Sequence, residues 1–282
     1  MRSLEETSKK FFVTIDIEND LGTVSEEKTF RGINEGLSLF LEILDDLNVS
    51  ATFFFVGEVA ENFPEVVKEV NKRHEVACHG LYHEVITKLD VTTRYRYVNR
   101  NVRIIQEITN RKPLGFRAVN FVTDNNIFSM LDELDFKYDS SVLPAYPLFR
   151  KYEGFKGKAP NLPYNPSRSN YRKAGDLKII EMPVSVLPIF NLPWVGTHIR
   201  MRGKSIYKLS ASLYKPSYIL LVLHSWDFIE LKGKTSYSRN SGKVFAKILK
   251  DLLLYLIEKG YIFPTLTEGS TFYQNEFHYA RE

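Results

Sequence analysis

Short β-branched and aromatic runs alternate along this chain with longer stretches whose apolar residues recur at helical spacing. FFVTID (11–16), ATFFFVG (51–57), EVACHG (75–80), GFRAVN (115–120), YDSSV (138–142), KIIEMPVS (178–185), YILLVLH (218–224) and YIFPTL (261–266) read as strands. GINEGLSLFLEILDDLN (32–48), TTRYRYVNRNVRIIQEITN (92–110), NIFSMLDELD (126–135) and GKVFAKILKDLLLYLIEKG (242–260) read as amphipathic helices between them. Strand and helix in turn make a parallel sheet with crossover helices, an α/β fold. At 282 residues the chain suits one α/β barrel, so residues 1–282 are expected to form one domain. Residues 143–177 carry five prolines without a clean period and predict a long irregular loop over one end. Residues 199–216, IRMRGKSIYKLSASLYKP, predict one helix whose Arg200, Arg202, Lys204, Lys208 and Lys215 form a solvated basic face.

Composition narrows the function. There are 38 basic against 34 acidic side chains, a net charge of +4 spread along the chain, so no nucleic-acid partner is expected. MRSLEETSKKFFVTID has no apolar core of signal-peptide length before the first strand-like run, which predicts an unexported, cytoplasmic protein. YILLVL and LLLYLI are far shorter than the roughly 20 apolar residues a membrane span needs. Contact with a membrane surface stays open. The single cysteine, Cys78, sits in an apolar run, has no internal disulfide partner and reads as a small core residue.

In a barrel of this kind reactive side chains gather at the C-terminal ends of strands. HEVACHGLYHE (74–84) sets His79 and His83 four apart at such an end, and Asp16, Glu18, Arg117, Asp139 and His224 stand at or just beyond the ends of other predicted strands. Core-facing strand residues should be apolar, so this convergence points to a site. Asp16 and Glu18, two apart in TIDIEND (14–20), repel unless a divalent cation lies between them, though each also suits a turn or a helix cap. Two imidazoles with one carboxylate are typical of a catalytic zinc-type site with one position open to water. Cobalt and nickel suit the same donors.

Five segments spanning 14–227 resemble, in order, the motifs of the polysaccharide deacetylases, the NodB-homology carbohydrate esterases: TIDIE, HGLYH, GFRAV, YDSSV and LVLHSWD. The resemblance implies a distorted (β/α) barrel with fewer than eight crossover helices and hydrolysis of an N-acyl group from an amino sugar or glycan. It assigns Glu18, His79 and His83 to the metal, Asp16 as the base that takes a proton from water, Arg117 as the residue that orients Asp16, and His224 as the acid that protonates the departing amine. Asp139 is a candidate for holding a polar partner in place. Val119 stands where the family often has proline, and Asn120 where an aromatic is common, so the turn after Arg117 should have its own backbone shape. Amide hydrolysis asks for the same parts, an activated water, an electrophile at the carbonyl and a proton for the leaving nitrogen.

The remaining polar residues read as structural. His74 begins its strand at the far end of the barrel, His198 falls on a loop and His278 in the tail. Asp20 reads as a loop aspartate before a fourth ligand, Trp194 and Trp226 as core before a sugar wall, and Asp227 either adjusts His224 or caps its turn. FRGINEGLSLFLEIL and EMPVSVLP also resemble the family branch that deformylates a lipid-linked amino-arabinose, which would put the basic segment 199–216 against lipid phosphates. Related folds hydrolyse small amides such as allantoin. A non-catalytic barrel that binds glycan or a lipid headgroup is the reading from another class, and it leaves Asp16, Arg117 and His224 without a purpose.

Overall fold

The computed structural model describes residues 9–22, 28–144, 153–154, 157–188, 191–233 and 238–279. Among them the strands are β1 (Lys9–Ile17), β2 (Thr52–Phe55), β3 (Glu75–Cys78), β4 (Gly115–Phe116), β5 (Tyr138–Asp139), β6 (Ile180–Glu181), β7 (Tyr218–His224) and β8 (Tyr261–Ile262). The helices are α1 (Leu37–Leu47), α2 (Gly57–Asn62), α3 (Pro64–Asn71), α4 (Val91–Thr109), α5 (Asn125–Glu133), α6 (Gly196–Arg202), α7 (Ser205–Tyr214), α8 (Lys243–Glu258) and α9 (Leu266–Tyr279). The strands follow the order β6-β5-β4-β3-β2-β1-β7, with β8 on the lower end of β1, and every pairing is parallel. This is the expected distorted (β/α) barrel, a parallel sheet curled on itself with helices outside. Between β6 and β7 the wall is continued by irregular chain: Ser185 N donates to Leu220 O at 3.3 Å, and Val195 bridges Val222.

The period-2 alternation of the strands sorts side chains into two cores. Phe12, Phe54, Ala77, Tyr138, Ile180, Leu220 and Val222 fill the barrel interior. Their sequence neighbours Phe11, Val13, Phe53, Phe55, Val76, Cys78, Phe116, Leu221 and Leu223 pack outward beneath the helices. Burial on both faces explains why the strands read as nearly continuous apolar runs. Gly115 is required by the interior filling, since a Cβ there would lie 1.9 Å from the Tyr138 ring. Cys78 is fully buried, and burial pushes its thiol well above the ordinary range.

Several expectations are corrected. The predicted helix 199–216 is two helices, α6 and α7, broken at Gly203, whose φ of 81° leaves the helical region. His198 therefore lies in a helix, where it is buried. The strands predicted at 115–120, 138–142 and 178–185 keep two regular residues each, and EVAENFPEVVKEV holds the unpredicted α2 and α3, the latter started by Pro64. Of the long loop predicted at 143–177, residues 145–152 and 155–156 lie outside the described residues. Its described remainder is tied down: Arg172 Nη2 donates to Leu143 O at 2.6 Å, and Tyr171 stacks on Phe128 at 5.1 Å. No helix of the described residues is long and apolar enough to cross a membrane.

The segment after β8, read from sequence as a tail that includes His278, begins with α9. This helix places Leu266 and Tyr273 into the interior core. Its first amide groups find tertiary acceptors, Leu266 N on Thr52 Oγ1 at 2.9 Å and Thr267 N on Glu75 Oε2 at 3.0 Å. The Glu75 carboxylate also accepts from Tyr138 Oη at 2.7 Å, Thr267 Oγ1 at 2.5 Å and Thr52 Oγ1 at 2.9 Å. An anion at a helix N-terminus is favoured by the helix dipole, and a hydrogen bond to a charged acceptor is worth about 1.5–3 kcal/mol. Glu75→Ala should therefore lower unfolding free energy, measured by urea titration, on the order of 2–4 kcal/mol. A change below about 0.5 kcal/mol, the usual range of surface substitutions, would mean that α9 docks by apolar contact alone.

Candidate metal centre and active site

The same alternation brings the predicted site residues to one end of the barrel. Asp16 shares the inward parity of Phe12, His79 that of Ala77, and His224 that of Leu220 and Val222, while Arg117 follows the outward Phe116 and so turns inward. Glu18 continues the parity of Asp16 just past β1. Its Oε2 lies 2.5 Å from His83 Nε2 and 3.4 Å from His79 Nε2. One donor atom each from Glu18, His79 and His83 can be chosen so that all lie within 4.8 Å of one another. The His79 ring is fixed by its other nitrogen, since Nδ1 sits 2.8 Å from the Arg117 carbonyl oxygen, which can only accept. Nδ1 therefore carries a proton, and Nε2 turns toward the carboxylates.

Two imidazole nitrogens and a buried carboxylate oxygen form a donor set that fits a divalent cation. Burial alone would raise the Glu18 carboxyl, but the charge of His83 and hydrogen bonds from His79 and His83 outweigh it and hold the group well below its ordinary value. For His79 burial works downward, and the charges of Asp16 and Glu18 reverse it, so its pKa is raised.

Asp16 stands beside this cluster. Its Oδ1 accepts from Arg117 Nη1 at 2.7 Å, and its Oδ2 lies 3.8 Å from His79 Nε2. Arg117 is fully buried, with Nε on Ser140 O at 3.0 Å, Nη2 on Ser140 Oγ at 2.9 Å and its guanidinium carbon 4.1 Å from the centre of the Phe54 ring. Opposite them His224 Nε2 lies 4.0 Å from Glu18 Oε1, and its ring stacks on Trp226 at 4.5 Å. Trp226 thus reaches the site, with Nε1 3.5 Å from Glu18 Oε1, whereas Trp194 is core, edge-on to Phe11 and Tyr207.

Behind His224 runs a connection of which sequence reasoning anticipates Asp227 and misses Arg200. Asp227 Oδ2 accepts from His224 N at 2.9 Å and lies 3.8 Å from His224 Nδ1, while Asp227 Oδ1 accepts from Arg200 Nε at 2.9 Å. Arg200 and Asp227 are both fully buried, which corrects the expectation that Arg200 belongs to a solvated basic face. Burial would raise the Asp227 carboxyl, but Arg200 and His224 hold it below its ordinary value. Burial would lower His224, but the carboxylates of Asp227 and Glu18 beside the ring raise it. The sequence signal was the acid three residues after His224, which a buried turn could keep only with a cation beside it.

Asp139 is set apart from the other predicted residues. It is the register partner of Phe116 and shares its outward parity, so it leaves the barrel interior. Its carboxylate accepts from Ser141 N at 3.0 Å and Ser141 Oγ at 2.8 Å, and Ser141 Oγ in turn accepts from Ala118 N at 2.8 Å. Asp139 thereby braces the turn that follows Arg117. In that turn Asn120 and Phe121 both have φ of 55°. Asparagine tolerates this region, but an aromatic there is strained, a feature that clusters at functional sites. Asp20 is not turned to the cluster: it accepts from Thr29 Oγ1 at 2.6 Å, Arg31 N at 2.7 Å and Gly32 N at 2.8 Å, holding the chain that leads into α1. His74 is half-buried beside Phe53 at the start of β3.

Comparison with known proteins agrees with this architecture. The polysaccharide deacetylase family model matches residues 20–138. A peptidoglycan deacetylase-like protein of Gibberella zeae is 32% identical over 110 residues, which cover 38% of this chain and 32% of that protein. The peptidoglycan deacetylase of Helicobacter pylori is 28% identical over 126 residues, 43% of each chain. The chain therefore spans about a third to two-fifths of the length of these curated relatives. Among solved structures, a Mycobacterium smegmatis protein assigned as a polysaccharide deacetylase shares the fold, with a TM-score of 0.67 at 20% identity over 95% of this chain and 92% of that one. Peptidoglycan deacetylase of Bacillus subtilis superposes with a TM-score of 0.55 at 14% identity, covering 97% and 96%. Residues 20–138 thus resemble the polysaccharide deacetylases in sequence, and the whole chain has the fold of solved members of that family.

Asp139 also meets a second acid. Glu181, its register partner on β6, lies beside it on the outward face, and both are fully buried. Burial raises both carboxyls, Asp139 to about 6 and Glu181 further by the charge of Asp139, so the folded pair retains a proton that the unfolded chain releases. Stability from this pair is then full below the ordinary carboxylate range and falls as pH rises through about 6. Glu181→Gln replaces the protonated acid by a neutral amide and should flatten that fall, so that the variant gains on the wild type with rising pH in urea titrations. Parallel stability curves for the two proteins would show that the pair holds no proton.

Proposed function

We propose that this protein is a metal-dependent hydrolase that removes the N-acetyl group from an amino sugar of a glycan. The observation that carries the reading is the gathering of Glu18, His79 and His83 with the Asp16–Arg117 pair and His224 at one end of the barrel. The names of the Gibberella zeae and Helicobacter pylori relatives support an N-acetylated glycan as the substrate class. A barrel that only bound glycan would have no use for an inward arginine locked to an inward aspartate beside a metal-ligand triad.

Glu18, His79 and His83 would hold the ion, with zinc the proposed metal and cobalt or nickel suited to the same donors. Bound there, a divalent cation supplies Lewis acidity toward the acyl carbonyl and makes water easier to deprotonate. Asp16 is the proposed base. With Oδ1 engaged by Arg117, its Oδ2 faces the triad and takes the proton of the attacking water. Arg117 fixes that carboxylate's direction through its own bonds to Ser140. His224 is the proposed acid: its Nε2 delivers a proton to the amine nitrogen as the C–N bond breaks, yielding carboxylate and free amine. Asp227, held by Arg200, fixes the His224 backbone N–H and sets its negative charge 3.8 Å from Nδ1 of the ring. Asp139 acts at one remove, through Ser141, on the turn beside Arg117.

Purified protein should carry about one divalent ion per chain, as one such triad implies, and His79→Ala should lose it by elemental analysis. Asp16→Asn should keep the ion while losing activity roughly 10²–10⁴-fold, as for removal of a general base. Equal metal content in wild type and His79→Ala would overturn the ligand assignment, and loss of metal in Asp16→Asn would make Asp16 a ligand.

The acid role gives a substrate-dependent signature. An amine needs a proton to leave and an activated phenolate does not, so His224→Ala should lose far more kcat/KM toward an N-acetylated amino sugar than toward an aryl acetate. Arg200→Met, acting through Asp227, should show the same selectivity with a smaller loss. Equal fractional losses on the two substrates would make His224 a structural residue.

A further inference from the structure

Helix α7 turns an apolar stripe outward. Ile206, Leu209, Leu213 and Tyr214 recur at helical spacing, and Leu209, Leu213 and Tyr214 are 57%, 67% and 47% exposed. The residues that pack this helix onto the body are Tyr207 and Ala211, both buried. Leu187 and Pro188 lie alongside, so that with the stripe they form a shallow apolar groove. Contiguous exposed apolar surface of this kind marks an interaction site.

Charge selects the partner. Residues 182–226 contain five Lys and Arg and no Asp or Glu. Two of the five are committed internally, Arg200 to Asp227 and Lys204 to Asp251. The other three flank the stripe: Arg202 and Lys215 are exposed near its two ends, and Lys208, half-buried, lies over the Tyr255 ring. A second copy of the chain docking face to face would bring like charges together. An acidic polymer would engage the lysines and leave the leucines wet. Leucines and a tyrosine beside cationic side chains, with the nearby Asp251 already paired to Lys204, match the interface of an anionic bilayer, where apolar residues enter the boundary of headgroup and acyl chain while Lys and Arg meet phosphate.

We propose that α7 docks this protein on anionic phospholipid membranes, with Leu209, Leu213 and Tyr214 entering the interface and Arg202, Lys208 and Lys215 facing the headgroups. This is a peripheral contact, independent of the hydrolytic reading.

The test is co-sedimentation of the full chain with phosphatidylcholine vesicles and with mixed phosphatidylglycerol–phosphatidylcholine vesicles. Binding should be roughly tenfold or more stronger to the mixed vesicles and should weaken with added salt. Leu209→Asp with Leu213→Asp should abolish it while circular dichroism stays unchanged, since both side chains are exposed. Lys208→Gln with Lys215→Gln should reduce it roughly thirtyfold, given about 1 kcal/mol for each of the two cations near an anionic surface. Equal binding to both vesicle types, no binding, or binding unchanged by both double variants would overturn the proposal. So would a wild-type dimer in analytical ultracentrifugation that the leucine variant dissociates, which would assign the stripe to a second copy.

Discussion

A guanidinium inside the barrel is the constraint around which this molecule is arranged. Arg117 is fully buried, and a charge so placed is tolerable only with its donors satisfied and a counter-charge beside it. Asp16 supplies the charge, Ser140 takes two of the remaining hydrogen bonds, and the ring of Phe54 covers the guanidinium. The same residue's carbonyl fixes the His79 ring through Nδ1. One residue thus sets the direction of the proposed base and the orientation of a proposed ligand. Removing it would leave the buried Asp16 uncompensated, a change expected to cost both shape and chemistry.

Around that centre the support is layered. On the outer face of adjoining strands Asp139 braces the turn after Arg117 through Ser141, and Glu181 beside it accepts from Val142 N. On the opposite flank Arg200 and Asp227 hold the turn that carries His224 and Trp226. At the other end of the barrel, Glu75 and Thr52 accept the first amides of α9 and fix the plug beneath the interior core. The side chains that would meet substrate therefore rest on groups that never touch it, the arrangement a preorganised site needs.

Much of this was legible in the sequence, for physical reasons. β1, β2, β3 and β7 are buried on both faces, so they appear as unbroken apolar runs, and polar residues at their ends stand out against that background. That contrast is what marks Asp16, Glu18, His79, His83, Arg117 and His224 as candidates. Asp139 was placed beside them because a two-residue strand carries too few side chains to reveal its parity, and parity sends it to the other face. Arg200 reads as surface from the sequence because its counter-charge, Asp227, lies on a different element. The break at Gly203 depends on one backbone angle that neighbouring residues do not announce. The start of α9 is capped by Thr52 and Glu75, residues far away in sequence, and so had no local signature.

The central claim is that strand parity gathers Glu18, His79 and His83 as one ligand set while Arg117 holds Asp16 out of it. Anomalous diffraction at the zinc absorption edge, from crystals grown with zinc, tests it most directly. The proposed chemistry requires a strong peak bounded by Glu18 Oε, His79 Nε2 and His83 Nε2, with Asp16 still paired to Arg117 and outside the coordination shell. A peak ligated by Asp16 with the Arg117 pair broken, or no peak at this cluster, would contradict it.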